Sequence, residues 1–173
     1  MSRLLLGATA LAAFLAVPAA AHVTVDPPHA AADSYFKLTV RVPHGCEGSP
    51  TLRLRVRIPM GITGVKPQPK AGWEMTTTKT KLDKPIDAGH GRTVSEYVSE
   101  ITWTGKLLDE HYEEFGIHMK LPNTPDAVLY FPAVQECEKG VHRWIEIPEA
   151  GKKSSDYKEP APALKLGPKA TAH

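Results

Sequence analysis

The sequence is poor in sulfur, in aromatic side chains and in excess charge. Its 173 residues include two cysteines, four methionines and 7% aromatic residues, and the formal net charge is +2. So small a charge argues against a general nucleic-acid binder, which needs a strong basic excess. The chain is long enough to form one domain with a hydrophobic core of its own, without a dense disulfide framework.

Long apolar runs are missing too, except near the start of the chain. Residues 4–17 are mostly apolar, follow a basic residue, and precede Ala19 and Ala21, which match positions −3 and −1 of an A-x-A cleavage site. This pattern predicts a signal peptide, residues 1–21, that is removed on export; the alternative is a retained N-terminal anchor. The run is short for a membrane span, and no later segment is apolar enough to cross a bilayer. We therefore expect a periplasmic or secreted protein whose first residue is His22.

The mature chain is predicted to be all-β. Several segments alternate apolar and polar residues with a period of two, strongly or weakly. They are residues 36–42, 52–58, 73–80, 94–104, 115–121, 128–134 and 141–147. Sixteen prolines and thirteen glycines favour turns over long helices, and no segment has a convincing helical period longer than two turns. Such alternation is typical of half-buried antiparallel strands, and the spacing predicts an antiparallel β-sandwich of the immunoglobulin-like kind.

The composition changes after Pro148. Residues 149–173 are rich in Lys, Pro, Ala and Ser, and few of them are able to pack in a core. The prediction is a flexible C-terminal tail, residues 149–173, in which only segment 163–166 has the residues to dock, and weakly. The folded domain is accordingly predicted to span residues 22–148.

The two cysteines, Cys46 and Cys137, both lie at predicted turns beside strands. In an exported protein they favour a disulfide. The bond would close a loop of about ninety residues and stabilise the fold by about 4 kcal/mol through chain entropy. The alternative is a pair of thiols for Cu(I), which ranks second because no Cys-x-x-Cys or methionine-rich motif accompanies the cysteines.

A candidate metal site begins at His22. As the first residue, it would offer its α-amine and its imidazole Nδ1 to close one chelate ring on a metal, and an α-amine with a pKa of roughly 8 deprotonates easily for a metal. Segment 106–115 is dense in carboxylates, and period-two alternation puts His142, Trp144 and Glu146 on one face of the last strand. An amine, an imidazole and carboxylates suit Cu(II), which prefers tetragonal nitrogen and oxygen ligands. The structural alternatives are an ordinary terminus, a solvated acidic loop and a core tryptophan.

Several short motifs occur together between residues 22 and 148. They are His-Val-Thr-Val from His22, His44-Gly45-Cys46, Lys66-Pro67, Gly72-Trp73, Thr102-Trp103-Thr104, Asp109 leading into Phe115, residues 129–132 and residues 137–144. With these motifs the sequence resembles the YcnI-like family of exported bacterial copper-binding domains, and in particular a Gram-negative branch of it.

This resemblance implies a β-sandwich close to cupredoxin-like architecture, which holds Cu(II) in a brace with a single histidine. Carried over to this chain, His22 is the brace histidine and Trp144 is the tryptophan beside the metal. A glutamate precedes that tryptophan in the family, but Arg143 stands at this position here. The carboxylate ligand is therefore assigned to Asp109 first and to Glu146 second.

Three functions remain open at this point. The preferred one is non-enzymatic: copper trafficking or homeostasis in the periplasm, with a copper ion as cargo and copper chaperones or a membrane copper transporter as partners. The second is a copper-dependent oxidative enzyme, which would need a second histidine as ligand. The third is a metal-free binding module of the cell envelope. The sequence contains no nucleophile–base–acid constellation, no phosphate-binding loop and no zinc-finger spacing.

Overall fold

Strands account for almost all regular structure in residues 22–89 and 91–169, which are the residues that this computed structural model describes. Among them there is no α-helix, and only Ser154–Asp156 forms a turn of 3₁₀ helix. No helix in this part of the chain is long and apolar enough to cross a lipid bilayer. The signal peptide predicted for residues 1–21 lies outside the described residues, so it stays a prediction.

The strands follow the alternation of the sequence closely. In chain order they are β1 (Thr24–Asp26), β2 (His29–Ala31), β3 (Tyr35–Val42), β4 (Thr51–Arg57), β5 (Thr63–Pro67), β6 (Glu74–Gly89), β7 (Arg92–Leu107), β8 (Glu113–Lys120), β9 (Val128–Tyr130), β10 (Ala133–Cys137), β11 (Val141–Trp144) and β12 (Ala163–Gly167). They form a four-stranded sheet in the order β1-β3-β8-β5, a five-stranded sheet in the order β11-β10-β4-β7-β6, and a small sheet in the order β2-β12-β9.

The two larger sheets pack face to face through their apolar sides. Leu38 and Val40 of β3 are fully buried, as are Leu54 and Val56 of β4 in the other sheet. The ring of Trp103 on β7 contacts that of Phe115 on β8 across the interface, with centroids 5.1 Å apart. The prediction of an all-β, antiparallel sandwich is therefore confirmed.

The predicted segment 128–134 is divided between two sheets. It forms β9 and β10, which are separated by Phe131 and Pro132. Pro132 has no N–H to donate to a ladder, and the amide of Phe131 donates instead to the carbonyl of Pro162. As a result β9 joins β12 in the small sheet while β10 pairs with β4 and β11.

The predicted tail contains β12, which docks more firmly than the weak docking predicted for segment 163–166. Leu164 and Leu166 in this strand are fully buried. The strand pairs in parallel with β2 and antiparallel with β9. Burying these two alternating leucines stabilises the strand, although the segment around it is mostly polar. The folded part of the chain therefore continues past residue 148.

The disulfide prediction is confirmed. Cys46 and Cys137 are bonded, their Cα atoms are 6.0 Å apart, and 91 positions separate them in the sequence. The bond joins the connection between β3 and β4 to the end of β10. It uses both cysteines of the chain, so the alternative of a thiol pair for Cu(I) has no free thiol.

Candidate metal centre

His22 lies at one end of the sandwich because of the way β1 pairs. Thr24 of β1 is opposite Arg41 of β3 in an antiparallel ladder. Two residues before Thr24, the chain therefore passes the end of β3, where the connection 43–50 to the other sheet begins. We call this the His22 end of the sandwich.

Asp109 comes to the same end from the five-stranded sheet. Thr51, the first residue of β4, pairs with Leu107 at the end of β7, and Asp109 follows two residues later. A Cβ atom at Gly45 would lie 2.9 Å from the Asp109 Oδ1 and 2.0 Å from the carbonyl oxygen of Ser49. Only glycine leaves room there, and its absence of a side chain lets the carboxylate lie against the connection 43–50.

Trp144 is held rigidly at the centre of this region. Its side chain is buried, with 4% exposure, and its Nε1 donates a hydrogen bond of 3.1 Å to Oε1 of Gln135. The Gln135 Nε2 in turn donates to the carbonyl of His44 at 2.7 Å and lies 2.8 Å from Oγ1 of Thr51. The buried amide of Gln135 is thus fully engaged and fixes the indole to the connection 43–50.

The imidazole of His22 packs directly against this indole. The two ring centroids are 5.4 Å apart and the ring planes are inclined by 73°. The contact joins the two large sheets, because β1 belongs to one and β11 to the other. The structure therefore brings together His22 and Trp144, the two residues paired by the family resemblance.

A second imidazole, that of His142, also packs against the indole of Trp144. Its ring centroid is 5.0 Å from that of Trp144, with the planes inclined by 31°. Its Nδ1 lies 2.8 Å from Oε1 of Glu159, and the second oxygen of that carboxylate accepts the amide N–H of Arg143 at 3.0 Å. Burial raises the pKa of Glu159, but the hydrogen bonds from His142 and from the Arg143 amide outweigh this effect, and the pKa is lowered overall.

The sequence predicts that Glu146 continues the strand and shares a face with Trp144, but β11 ends at Trp144 and the carboxylate of Glu146 binds the C-terminal segment. The amide of Ile145 donates to the carbonyl of Arg143, so regular β11 geometry ends at Trp144. The Glu146 Oε2 accepts the amide N–H of Glu159 at 2.6 Å. Its carboxylate thus holds the C-terminal segment, and its role as a metal ligand stays a prediction.

Arg143, which stands where the family resemblance leads us to expect a glutamate, faces away from the site. It pairs with Val134, while its neighbour Trp144 pairs with Ala133, and successive residues of a strand point to opposite faces. The Arg143 side chain is exposed. The arginine therefore lies outside the region that contains His22.

Sequence reasoning missed Gln135 and Glu159. Gln135 extends the predicted strand 128–134, and a polar residue on an inward position is a signal that it has a buried partner. Glu159 gave no such signal because it stands in a polar segment and its partners are more than ten residues away. The described residues contain no group of three or more His, Cys, Asp or Glu side chains placed to hold a metal ion.

Comparisons with known proteins give one family, one curated relative and one solved structure of note. A family profile described as "Domain of unknown function (DUF1775)" matches residues 22–166. The "Copper-binding protein CutI" of Bacillus subtilis (strain 168) is 33% identical over 120 residues, which cover 68% of this chain and 52% of that protein. The chain thus aligns with about half the length of this relative. An uncharacterized protein from Nocardia farcinica, described as having an immunoglobulin-like fold, is similar with a TM-score of 0.62 and 27% identity, covering 84% of this chain and 98% of that one.

Proposed function

The chain belongs to the DUF1775 family, the YcnI-like family that its motifs predict, and on this premise we propose that it is an exported, non-enzymatic copper-binding protein. It serves copper trafficking or homeostasis in the periplasm, and it holds Cu(II) as cargo in a brace formed by His22. The observation that carries this proposal is the contact of His22 with the buried Trp144, at a ring distance of 5.4 Å. The similarity to a curated copper-binding protein supports the choice of metal.

The α-amine of His22 is central to the proposed site. No group of three acidic, cysteine or histidine side chains among the described residues is placed to hold a metal, so a site here needs a ligand of another kind. A free amine on His22 meets that need once residues 1–21 have been removed. Together with Nδ1 it forms a chelate, and nitrogen donors of this type suit Cu(II).

Asp109 is the preferred carboxylate ligand in this proposal. It reaches the His22 end, where its Oδ1 lies against the backbone position of Gly45. Glu146 is second because its carboxylate already accepts a hydrogen bond from the Glu159 amide. Trp144 shields one side of the ion and limits the access of water and dioxygen.

The donor set also suggests how copper is released. Both cysteines are in a disulfide, and the proposed ligands are hard or intermediate nitrogen and oxygen atoms. Cu(I) prefers thiolate and thioether ligands, so reduction of the bound Cu(II) by one electron from an external thiol would weaken its binding. A periplasmic copper chaperone or a membrane copper transporter with soft ligands would then accept the ion.

The test is a Cu(II) titration of protein that begins at His22, compared with protein that carries one additional glycine before His22. We expect one equivalent of tight binding in the first protein and its loss in the second, because the glycine converts the α-amine into an amide. A His118→Ala variant is the control, since His118 is exposed on the outer face of β8 and stacks on Tyr35. Equal Cu(II) affinity in the glycine-extended protein would contradict the brace.

A further inference from the structure

We infer that His142 is a second imidazole ligand of the copper ion bound at His22, and that Glu159 holds it in the binding orientation. The inference rests on the proposed function and deepens it, because it names a ligand that the single-histidine brace does not include. Both imidazoles contact one indole: the His22 and His142 centroids lie 5.4 Å and 5.0 Å from that of Trp144.

Strand register puts His142 on the side of Trp144 that faces the His22 end. In the antiparallel pair of β10 and β11, Trp144 is opposite Ala133 and His142 is opposite Gln135. Since β10 runs from Ala133 toward the disulfide at Cys137, His142 lies nearer to the His22 end than Trp144 does. Side chains two apart on a strand share a face, so His142 and Trp144 both point into the sandwich while Arg143 points out.

The contact with Glu159 gives His142 the form in which histidines bind metals. A carboxylate can only accept, so Nδ1 carries the proton in this contact, and in the neutral imidazole Nε2 then carries the lone pair. Metal-binding histidines commonly donate their other ring N–H to a carboxylate in this way, which fixes both the tautomer and the ring orientation. Nε2 of His142 makes no hydrogen bond to any residue within 22–89 or 91–169.

This arrangement adds a nitrogen donor to the two that His22 offers. The amine of His22, its Nδ1 and the Nε2 of His142 make three nitrogen donors from only two side chains. Three nitrogen donors of this kind suit the tetragonal preference of Cu(II) for nitrogen and oxygen ligands. The competing interpretation is that His142 and Glu159 form an ion pair that only holds the C-terminal segment in place.

Pulsed electron paramagnetic resonance distinguishes the two interpretations, because electron spin-echo modulation counts imidazoles bound to Cu(II) through their remote nitrogens. The sample is protein beginning at His22 with one equivalent of copper sulfate. We expect two bound imidazoles in the wild type, one in His142→Ala, and two in the control His118→Ala. In Glu159→Gln the affinity for Cu(II) should fall by roughly 10–100-fold, as for other partners of metal-binding histidines.

The outcomes separate this inference from the proposed function. One bound imidazole in the wild type, with an unchanged spectrum in His142→Ala, overturns the inference and leaves the brace intact. Absence of stoichiometric Cu(II) in the wild type overturns both. A Glu159→Gln variant that melts at a lower temperature but keeps its copper spectrum and affinity identifies a purely structural pair. If His142→Ala does not fold, a wild-type count of one still overturns the inference, and His142→Gln replaces His142→Ala to assign the second imidazole.

Discussion

The two ends of the sandwich both use a carboxylate to hold the C-terminal segment, but they pair it with different partners. Near the His22 end, Glu159 contacts His142 at 2.8 Å. At the opposite end, which we call the distal end, Asp33 contacts Lys120 at 2.6 Å and also pairs with Lys169. A lysine beside a carboxylate remains an ammonium group and cannot offer a lone pair, whereas a neutral histidine can bind a metal. The same kind of contact is therefore structural at one end and compatible with a metal site at the other.

The largest expected effect is on Cu(II) binding, which a substitution at the His22 end should abolish and a substitution at the distal end should not change. His22→Ala should lose tight Cu(II) binding, whereas Asp33→Asn at the distal end should bind Cu(II) like the wild type. A ligand that binds only the folded state stabilises it, by about 2.7 kcal/mol at a concentration of 100 times Kd, which corresponds to a rise of roughly 5–10 °C in Tm. Melting curves with and without Cu(II) measure this rise. If the wild type shows none, the metal-free envelope module becomes the better interpretation.

Opening the disulfide should cause the largest loss of stability in the metal-free protein, and this loss should be felt most at the His22 end. Replacing Cys46 and Cys137 by serine removes a cross-link worth about 4 kcal/mol in chain entropy, which denaturant unfolding measures. The bond also fixes the connection 43–50, whose His44 carbonyl accepts a hydrogen bond from Gln135. Amide hydrogen exchange should therefore rise in 43–50 and stay unchanged around Asp33. A uniform rise at both ends would mean that the bond stabilises the fold only globally.

A smaller effect is expected from replacing the indole of Trp144 at the His22 end by a phenyl ring, which has no N–H to donate. Trp144→Phe leaves Oε1 of the buried Gln135 without its donor, at a cost of about 1–3 kcal/mol. The matched control is Trp103→Phe, because Nε1 of the fully buried Trp103 has no hydrogen-bond partner in the described part of the chain. Trp144→Phe should also lose the quenching of tryptophan fluorescence by Cu(II). Quenching that is retained in Trp144→Phe but lost in Trp103→Phe would mean that copper binds away from Trp144.

The sequence predicts well those features that depend on local pattern. Alternation in segments 36–42, 52–58 and 115–121 corresponds to β3, β4 and β8, since each strand buries one face and exposes the other. The contact between His22 and Trp144 could be predicted through the family resemblance. The match of residues 22–166 to the family profile confirms the family.

Features that depend on residues distant in the sequence could not be predicted from local pattern. Segment 163–166 is predicted to dock only weakly, because the strands β2 and β9 that bury its leucines on either side are distant in the sequence. Glu159 stands in a segment that reads as polar tail, and only the fold shows that it reaches His142. Asp33, Lys120 and Lys169 are likewise far apart in the sequence. In each case the stabilising contact is non-local, so a local pattern carries no signal for it.

The smallest effect expected is a pH dependence that belongs to the distal end alone. Hydrogen bonds from Lys120 and Lys169 lower the pKa of Asp33 from 3.8 to about 2. Because the folded state favours the ionised carboxylate, Asp33 stabilises the fold above about pH 4, and this contribution disappears as the pH falls toward 2. The Tm difference between the wild type and Asp33→Asn should therefore be present at pH 6, shrink between pH 4 and pH 2, and decrease when salt screens the exposed charges. A difference that does not change with pH would mean that Asp33 acts through its backbone position and not through its charge, and the two ends would then differ in more than the partner of their carboxylates.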